Sequence, residues 1–201
     1  MNGLVINPYP TCGYTHRAIS GLLQLRDQHQ FTANEIDVIK ISMADSNAKI
    51  FIDKKPQTSL EARFSLEFCI VLAALKGQII PSDFDLQTIN APILKALQDK
   101  IELVPYAADP NGTNCSPIEP DGVTVRLNNA TEFSIIIKHS PGSIDNPITK
   151  QQHQNKYSQC IKASRNKSQN VNVDASQIES ILLDFEHLND VSRLTKVLGA
   201  G

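Results

Sequence analysis

Apolar residues at helical or alternating spacing mark the elements in the first third of the chain. They recur every three or four positions within Ala18–Leu25, which predicts an amphipathic helix that begins near Tyr14 or Thr15, with Thr15 as its N-cap, and ends near Gln28. The run Ile36–Ile41 is short and rich in β-branched residues, and this composition favours a strand. Lys49–Ile52 is a weaker strand candidate.

A second, longer helix is predicted over Ser59–Leu75. Its residues are good helix formers, and after Phe64 apolar side chains occupy nearly every face. A helix that is apolar all round is buried, so this one belongs to the core. Gly77 follows it as a natural C-terminal stop. A shorter helix is indicated over Asn90–Leu97, with Pro92 in its first turn.

The clearest strand signal lies in the runs Val123–Leu127 and Phe133–Ile137, which Asn128–Ala130 joins. This pattern predicts a β-hairpin whose turn tolerates left-handed backbone. Ile101–Tyr106 is predicted as a further strand, and the proline- and asparagine-rich stretch Ala107–Asp121 as a long surface loop. These elements predict an α+β fold with a small antiparallel sheet and packed helices.

The pattern changes near residue 145, where apolar strands give way to polar, helix-forming sequence. Helices are predicted within Gln177–Glu186 and Val191–Leu198. We therefore divide the chain into an α+β domain, residues 1–145, and a helical C-terminal tail, residues 146–201.

Composition and charge argue against several classes of function. The 201 residues are 41% hydrophobic and 20% charged, as in a globular protein, and a net charge of -2 without a Lys/Arg cluster argues against a nucleic-acid partner. No apolar run approaches the length of about 20 residues that spans a membrane. No N-terminal signal is present, which predicts a cytoplasmic location. Cysteines 12, 69, 115 and 160 lack the close spacing of metal or redox pairs, and the histidines share no metal-ligand spacing. No dinucleotide-binding or P-loop signature occurs either, so neither a metal nor another cofactor is expected.

Two segments carry the candidate chemistry. The first is Pro8–His16, a proline-rich turn followed by a thiol and a helix start, which presents polar groups to a small ligand. The second is Glu61–Cys69, within the predicted buried helix. In this order the two segments resemble the MmgE/PrpD family, whose members include 2-methylcitrate dehydratase, cis-aconitate decarboxylase and iminodisuccinate epimerase. The stretches Ser140–Ser143 and Asn146–Thr149 are similar to the same family.

The resemblance implies an arrangement of domains. In the family a large helical domain comes first, a smaller α+β lid follows, and the chain then returns to the helical domain. Residues 7–143 are similar to the lid, and the sequence from Asn146 onward is similar to the returning segment. The resemblance therefore covers only the C-terminal part of family members.

The resemblance also implies a chemistry. Members abstract a proton next to a carboxylate of a small di- or tricarboxylate, without a metal, and most of their acid/base residues lie in the helical domain. The lid contributes a lysine before the turn, a polar residue after it and, in the decarboxylase, a tyrosine on the next helix. These catalytic positions correspond here to Asn7, Cys12 and Phe68. Asn7 lacks the ammonium charge and Phe68 lacks a hydroxyl, so this half of the site is degraded.

His16 and Arg63 complete the candidate catalytic and substrate-binding residues, and His16, Cys12 and Arg63 each have a structural alternative. His16 binds an anion at the helix start, or it belongs to the capping region. Cys12 acts as an acid or base, or it is a packed thiol. Arg63 binds a substrate carboxylate, or it pairs with Glu67 four residues on.

Three functions remain open at this point. The chain is a truncated lid and tail of such a lyase, inactive alone; or one half of a split enzyme whose helical domain is encoded separately; or a non-catalytic module that binds an anion or a protein. If the tail packs on a helical domain elsewhere, its apolar face is left without a partner, which predicts self-association. That face consists of Ile178, Ile181, Leu182, Phe185 and Leu188.

Overall fold

The computed structural model of the protein describes residues 5–51, 54–107, 119–165 and 175–197. The chain falls into two compact units, Met1–Thr149 and Lys150–Gly201. The first unit holds a sheet and helices, and the described part of the second is helical. The predicted α+β class with a helical tail is therefore confirmed.

The helices of the first unit are α1 (His16–His29), α2 (Asp45–Ala48), α3 (Ser59–Phe64), α4 (Leu66–Lys76), α5 (Leu86–Ile89) and α6 (Pro92–Gln98). The strands are β1 (Ile36–Ala44), β2 (Ile101–Tyr106), β3 (Asp121–Leu127) and β4 (Glu132–Ile137). Short 3-10 turns cover Gly13–Thr15, Ala33–Glu35 and Pro81–Phe84.

The strands form one sheet in the order β2-β1-β3-β4. The pairs β1–β3 and β3–β4 are antiparallel, as predicted, whereas β1 and β2 are parallel, with Ile39 opposite Ile101. Parallel neighbours need a long crossover connection. Residues 45–100 supply that connection, largely as helices, so the sheet is mixed rather than purely antiparallel.

The predicted hairpin is formed by β3 and β4. Val123 and Val125 are buried on one face of β3, and on the other face the hydroxyls of Thr124 and Ser134 lie 2.9 Å apart. Ala130, in the turn, has a φ of +65°, the left-handed backbone that the sequence indicated. The alternation of apolar and polar positions thus sets which face of the sheet meets the core.

Helices cover the apolar face of the sheet. Helix α1 packs on β3 and β4, and α4 packs on α1 and α6. At Gly21, a Cβ atom would lie 2.8 Å from Cγ2 of Val123, which is too close for an undisturbed contact. Glycine therefore lets α1 approach the sheet closely.

The predicted long helix is broken into α3 and α4 at Ser65. This residue is extended, with φ -86° and ψ 116°, and its hydroxyl accepts a hydrogen bond from the Phe68 N–H at 3.3 Å. Ser65 is therefore an N-cap for α4, which a pattern of apolar residues alone does not reveal. Gly77, with φ +69°, ends α4 as predicted.

The predicted strand Lys49–Ile52 is wrong over its described residues. A short helix, α2, precedes it, and the N–H groups of Lys49 and Ile50 donate to the carbonyl oxygens of Asp45 and Asn47. The backbone is therefore turned rather than extended. Residues 52–53 and most of the predicted loop, residues 108–118, lie outside the described residues.

The described part of the second unit consists of α7 (Lys150–Arg165), α8 (Ala175–Leu183), a 3-10 turn (Phe185–His187) and α9 (Ser192–Val197). On the predicted apolar face, Ile178 and Ile181 are buried, whereas Leu182 and Phe185 are about half exposed. That face is thus only partly open to solvent. None of the helices in the described ranges is long and apolar enough to cross a membrane.

Candidate functional site

The candidate turn, Pro8–Thr15, closes on itself in front of α1. The backbone N–H and the hydroxyl of Thr15 donate to the Cys12 carbonyl oxygen at 2.9 and 2.7 Å. Because this hydroxyl is already a donor, it accepts from the Thr11 hydroxyl, 2.9 Å away. Thr15 holds the N-cap position of α1, as predicted, but its side chain closes the turn instead of capping the helix.

Arg63 joins the candidate turn to the second candidate segment. Its Nη1 donates to the Pro10 carbonyl oxygen at 2.7 Å, and its own carbonyl oxygen accepts from the Cys12 N–H at 2.9 Å. The guanidinium carbon lies 4.4 Å from the centre of the Phe84 ring, at cation–π distance. The predicted i,i+4 pairing with Glu67 does not form, because the break between α3 and α4 takes the two residues out of one continuous helix.

Gly142 holds the chain directly in front of the candidate turn. The Ile6 N–H donates to the Gly142 carbonyl oxygen at 2.9 Å, and the Gly142 N–H donates to Asn146 at 2.8 Å. Gly142 has a φ of +86°, and a Cβ atom there would overlap the Ile6 carbonyl oxygen. Asn7 follows Ile6 and is exposed. The glycine therefore positions the segment that presents Asn7.

A buried ion pair joins the first turn of α1 to the start of β3. Nη2 of Arg17 lies 3.0 Å from Oδ1 of Asp121, the first residue of β3, and the Asp121 side chain is 1% exposed. Burial raises the pKa of Asp121 to about 6, although Arg17 acts in the opposite direction. Oδ2 of Asp121 has no hydrogen-bond partner within the described ranges. The sequence carries no signal for this pair, because the partners lie 104 positions apart.

The stability of the protein is expected to depend on pH through Asp121. Its pKa in the folded protein, about 6, exceeds the ordinary value of 3.8, so folding favours the protonated form. The contribution of Asp121 is therefore fully present below about pH 4 and is lost as the pH rises through about 6, by about 3 kcal/mol at most.

Urea unfolding of the wild type and of Asp121→Asn across this pH range checks the expectation. Asparagine keeps the shape of the side chain and cannot ionise. Because the other carboxyl groups titrate in both proteins, the difference between the two pH profiles isolates Asp121. Parallel profiles would contradict the raised pKa.

The structure brings Cys12, His16 and Arg63 together around the candidate turn. His16 is completely buried: Nε2 donates to the Thr11 carbonyl oxygen at 3.2 Å, and the ring packs edge-on against Tyr9 with centroids 5.3 Å apart. Cys12 and Arg63 are partly exposed. Of these three residues, Cys12 and Arg63 therefore present surface at the turn, whereas His16 does not.

Phe68 lies in the hydrophobic core. It has no exposed surface, and its ring centre is 5.9 Å from that of Phe84, the ring that also carries the Arg63 guanidinium. Asn7, by contrast, is exposed in front of the candidate turn. The structure thus separates the two positions at which this chain departs from the decarboxylase pattern.

Glu67 is a second buried carboxyl that the sequence reasoning missed. It lies in the first turn of α4 and is 3% exposed, and its Oε2 has no hydrogen-bond partner among the described residues. Burial raises the pKa of Glu67, and Lys54 opposes this effect. The available signal was a single acidic residue in an otherwise apolar helix, which we interpreted only as a partner for Arg63.

A cavity of about 320 Å³ lies at the other end of α1, lined by residues that include Arg26, Gln30 and Phe31. None of the candidate residues lines it. Within the described ranges, no group of three or more His, Cys, Asp or Glu side chains is placed to hold a metal ion. The polar side chains that present surface at the candidate turn include the Cys12 thiol, the Arg63 guanidinium, the Asn7 amide and the Tyr14 phenol.

Comparison with known proteins identifies the family. Residues 9–179 match the MmgE/PrpD C-terminal domain, a span that includes the candidate turn from Tyr9 onward, the helices α1, α3 and α4, and the β3–β4 hairpin. The curated proteins contain no match to the chain. Because the matched span covers most of the sequence, the chain belongs to the MmgE/PrpD family through that C-terminal domain.

Proposed function

We propose that the chain supplies the C-terminal part of an MmgE/PrpD-type lyase that acts on small di- or tricarboxylates. Its site is completed by a helical domain on another segment or another polypeptide, and the isolated chain has no turnover. The observation that carries this proposal is the candidate turn. Its backbone is held by Arg63 through Pro10 and Cys12, so the turn is preorganised before any ligand arrives.

The placement of the candidate residues supports a site that this chain fills only in part. Asn7, Cys12 and Arg63 are at least partly exposed around the turn, while His16 is buried behind it. Proton abstraction next to a carboxylate needs an acid/base pair and positive charge to stabilise the developing enolate. Arg63 brings a cation to the turn, and the remaining groups are expected from the helical domain.

We expect no dehydration of 2-methylcitrate and no decarboxylation of cis-aconitate by the purified chain. The two reactions are followed by absorbance of the unsaturated product and by carbon dioxide release, against a blank without protein. Turnover well above that blank would overturn the claim that the site is incomplete. Binding of tricarballylate, an unreactive tricarboxylate, is measured in parallel by NMR of the amides of the candidate turn.

Asn7→Lys serves as the matched variant in the binding experiment. It restores the ammonium group that family members carry, at a position that is exposed here and tolerates a longer side chain. We expect the variant to bind tricarballylate several-fold more tightly at low salt, with the gain lost as the salt concentration rises. The neutral tricarboxamide analogue should show no gain.

A non-catalytic module that binds an anion or a protein is the second candidate function. The residues that favour it are Asn7 and Phe68, because neither can carry out the charge or proton-transfer roles of lysine and tyrosine. This function predicts tricarballylate or protein binding that persists without turnover even when a helical domain from an active family member is added. Turnover in that mixture would reject the second candidate.

A further inference from the structure

The burial of the Arg17–Asp121 ion pair argues against a role in stabilising the fold. The Asp121 side chain is 1% exposed and that of Arg17 is 9% exposed, so both charges are removed from water. Such pairs commonly recover no more than their desolvation cost, and apolar residues of similar volume often replace them without loss. The absence of a partner for Oδ2 within the described ranges adds to this cost.

The position of the pair points to a different role. Arg17 lies in the first turn of α1, directly after His16 and the candidate turn, and Asp121 begins β3 opposite Ile137 of β4. Near the middle of α1 the close approach to the sheet at Gly21 is apolar, and apolar contacts are not directional. At the far end of α1, the His29 ring stacks on Phe133 of β4, well away from the first turn. A 3.0 Å charged hydrogen bond fixes both the rotation of the helix and its height along the sheet.

We propose that Arg17 and Asp121 are positioning residues: their ion pair fixes the first turn of α1, and thereby the candidate turn, in the geometry that binds a small carboxylate. This inference rests on the proposed function for the identity of the ligand. The positioning itself does not depend on the identity of the ligand, and it can be measured without one.

The test is a double-mutant cycle with Arg17→Met, Asp121→Leu and the double variant. Each single variant leaves one buried charge unpaired, so we expect the Tm to fall by about 5 °C or more. The double variant is expected to melt within about 3 °C of the wild type, or above it. If the ion pair served stability alone, no change beyond these Tm values would be expected in the double variant.

A positioning role predicts that the double variant loses local order and ligand binding, which a Tm does not detect. In the double variant, amide hydrogen-exchange protection of residues 13–18 is expected to fall at least about tenfold relative to the wild type at the same pH, because the first turn of α1 opens locally. Tricarballylate binding should weaken by a similar factor, since the candidate turn is no longer preorganised. Protection in the central strands should be unchanged.

The sheet offers a matched control pair. Arg126 Nη2 lies 2.8 Å from Asp37 Oδ2 across β3 and β1, and both side chains are almost half exposed. Arg126→Met with Asp37→Leu should alter neither the protection of residues 13–18 nor tricarballylate binding. Exposed pairs of this kind contribute little to stability.

The outcomes separate the alternatives. A double variant that is well folded and keeps wild-type protection at residues 13–18 overturns the positioning role. A double variant that is as unstable as the singles, or does not fold, also overturns it, because the pair is then needed for stability. If the wild type binds no tricarballylate, the proposed function fails, and the protection measurement still decides the positioning.

Discussion

Replacing Phe68 by alanine is expected to lower the free energy of unfolding by about 3–5 kcal/mol. Phe68 is completely buried, and its ring packs against Phe84 in the core around α4. The truncation removes apolar surface and leaves a cavity that the surrounding helices cannot fill completely. The truncation should also disturb the candidate turn. The Phe84 ring contacts the Arg63 guanidinium, and that guanidinium donates to the Pro10 carbonyl oxygen in the turn.

Urea unfolding followed by circular dichroism measures this loss. Leu60→Ala is the matched control: Leu60 is a large apolar residue on the neighbouring helix α3, but it is 68% exposed. Its truncation should change stability by no more than about 0.5 kcal/mol. If Phe68→Ala were as stable as the wild type and had lost tricarballylate binding, Phe68 would line the ligand site rather than the core.

Replacing Gly142 by alanine is expected to cost about 2–4 kcal/mol and to release the chain in front of the candidate turn. The φ of +86° is strained for any residue with a Cβ, and here that atom would overlap the Ile6 carbonyl oxygen. The backbone must shift, which breaks the 2.9 Å hydrogen bond from the Ile6 N–H. Asn7 then loses its fixed position.

Thermal unfolding and the exchange rate of the Ile6 amide measure the two parts of this expectation. Gly13→Ala is the matched control, since Gly13 lies within the candidate turn and a Cβ there meets nothing within 4 Å. It should change stability by no more than about 0.5 kcal/mol. A Gly142→Ala variant with an unchanged Tm and a protected Ile6 amide would show that the backbone absorbs the methyl group without cost.

Local patterns predicted the elements whose formation depends on neighbouring residues. The apolar spacing within Ala18–Leu25 predicted α1, and the alternation in Val123–Leu127 predicted β3. The same reasoning missed the break at Ser65, because a serine in a run of helix formers is ambiguous until its hydroxyl meets the Phe68 N–H. It also predicted a strand at Lys49–Ile52, whereas a turn follows α2 over the described residues of that range.

The candidate site shows the same division. The motif residues identified where the chemistry lies, but not which side chains face outward. His16 ends the first motif segment and is nevertheless buried. Glu67 was interpreted as a partner for Arg63, although it is buried and its Oε2 has no hydrogen-bond partner among the described residues. Burial of a polar group depends on what packs over it, and that information is distributed over the whole chain.

The sequence by itself determined the α+β class, the hairpin, the location of the candidate turn and the MmgE/PrpD relationship, because each depends on residues close together in the chain or on their order. The tertiary structure alone decided that β1 and β2 run parallel, that Arg17 forms an ion pair with Asp121, and that the Gly142 carbonyl oxygen accepts a hydrogen bond from the Ile6 N–H. These contacts join residues far apart in sequence. They form only when the helices and the sheet pack together, and no local pattern encodes which distant partner each residue meets.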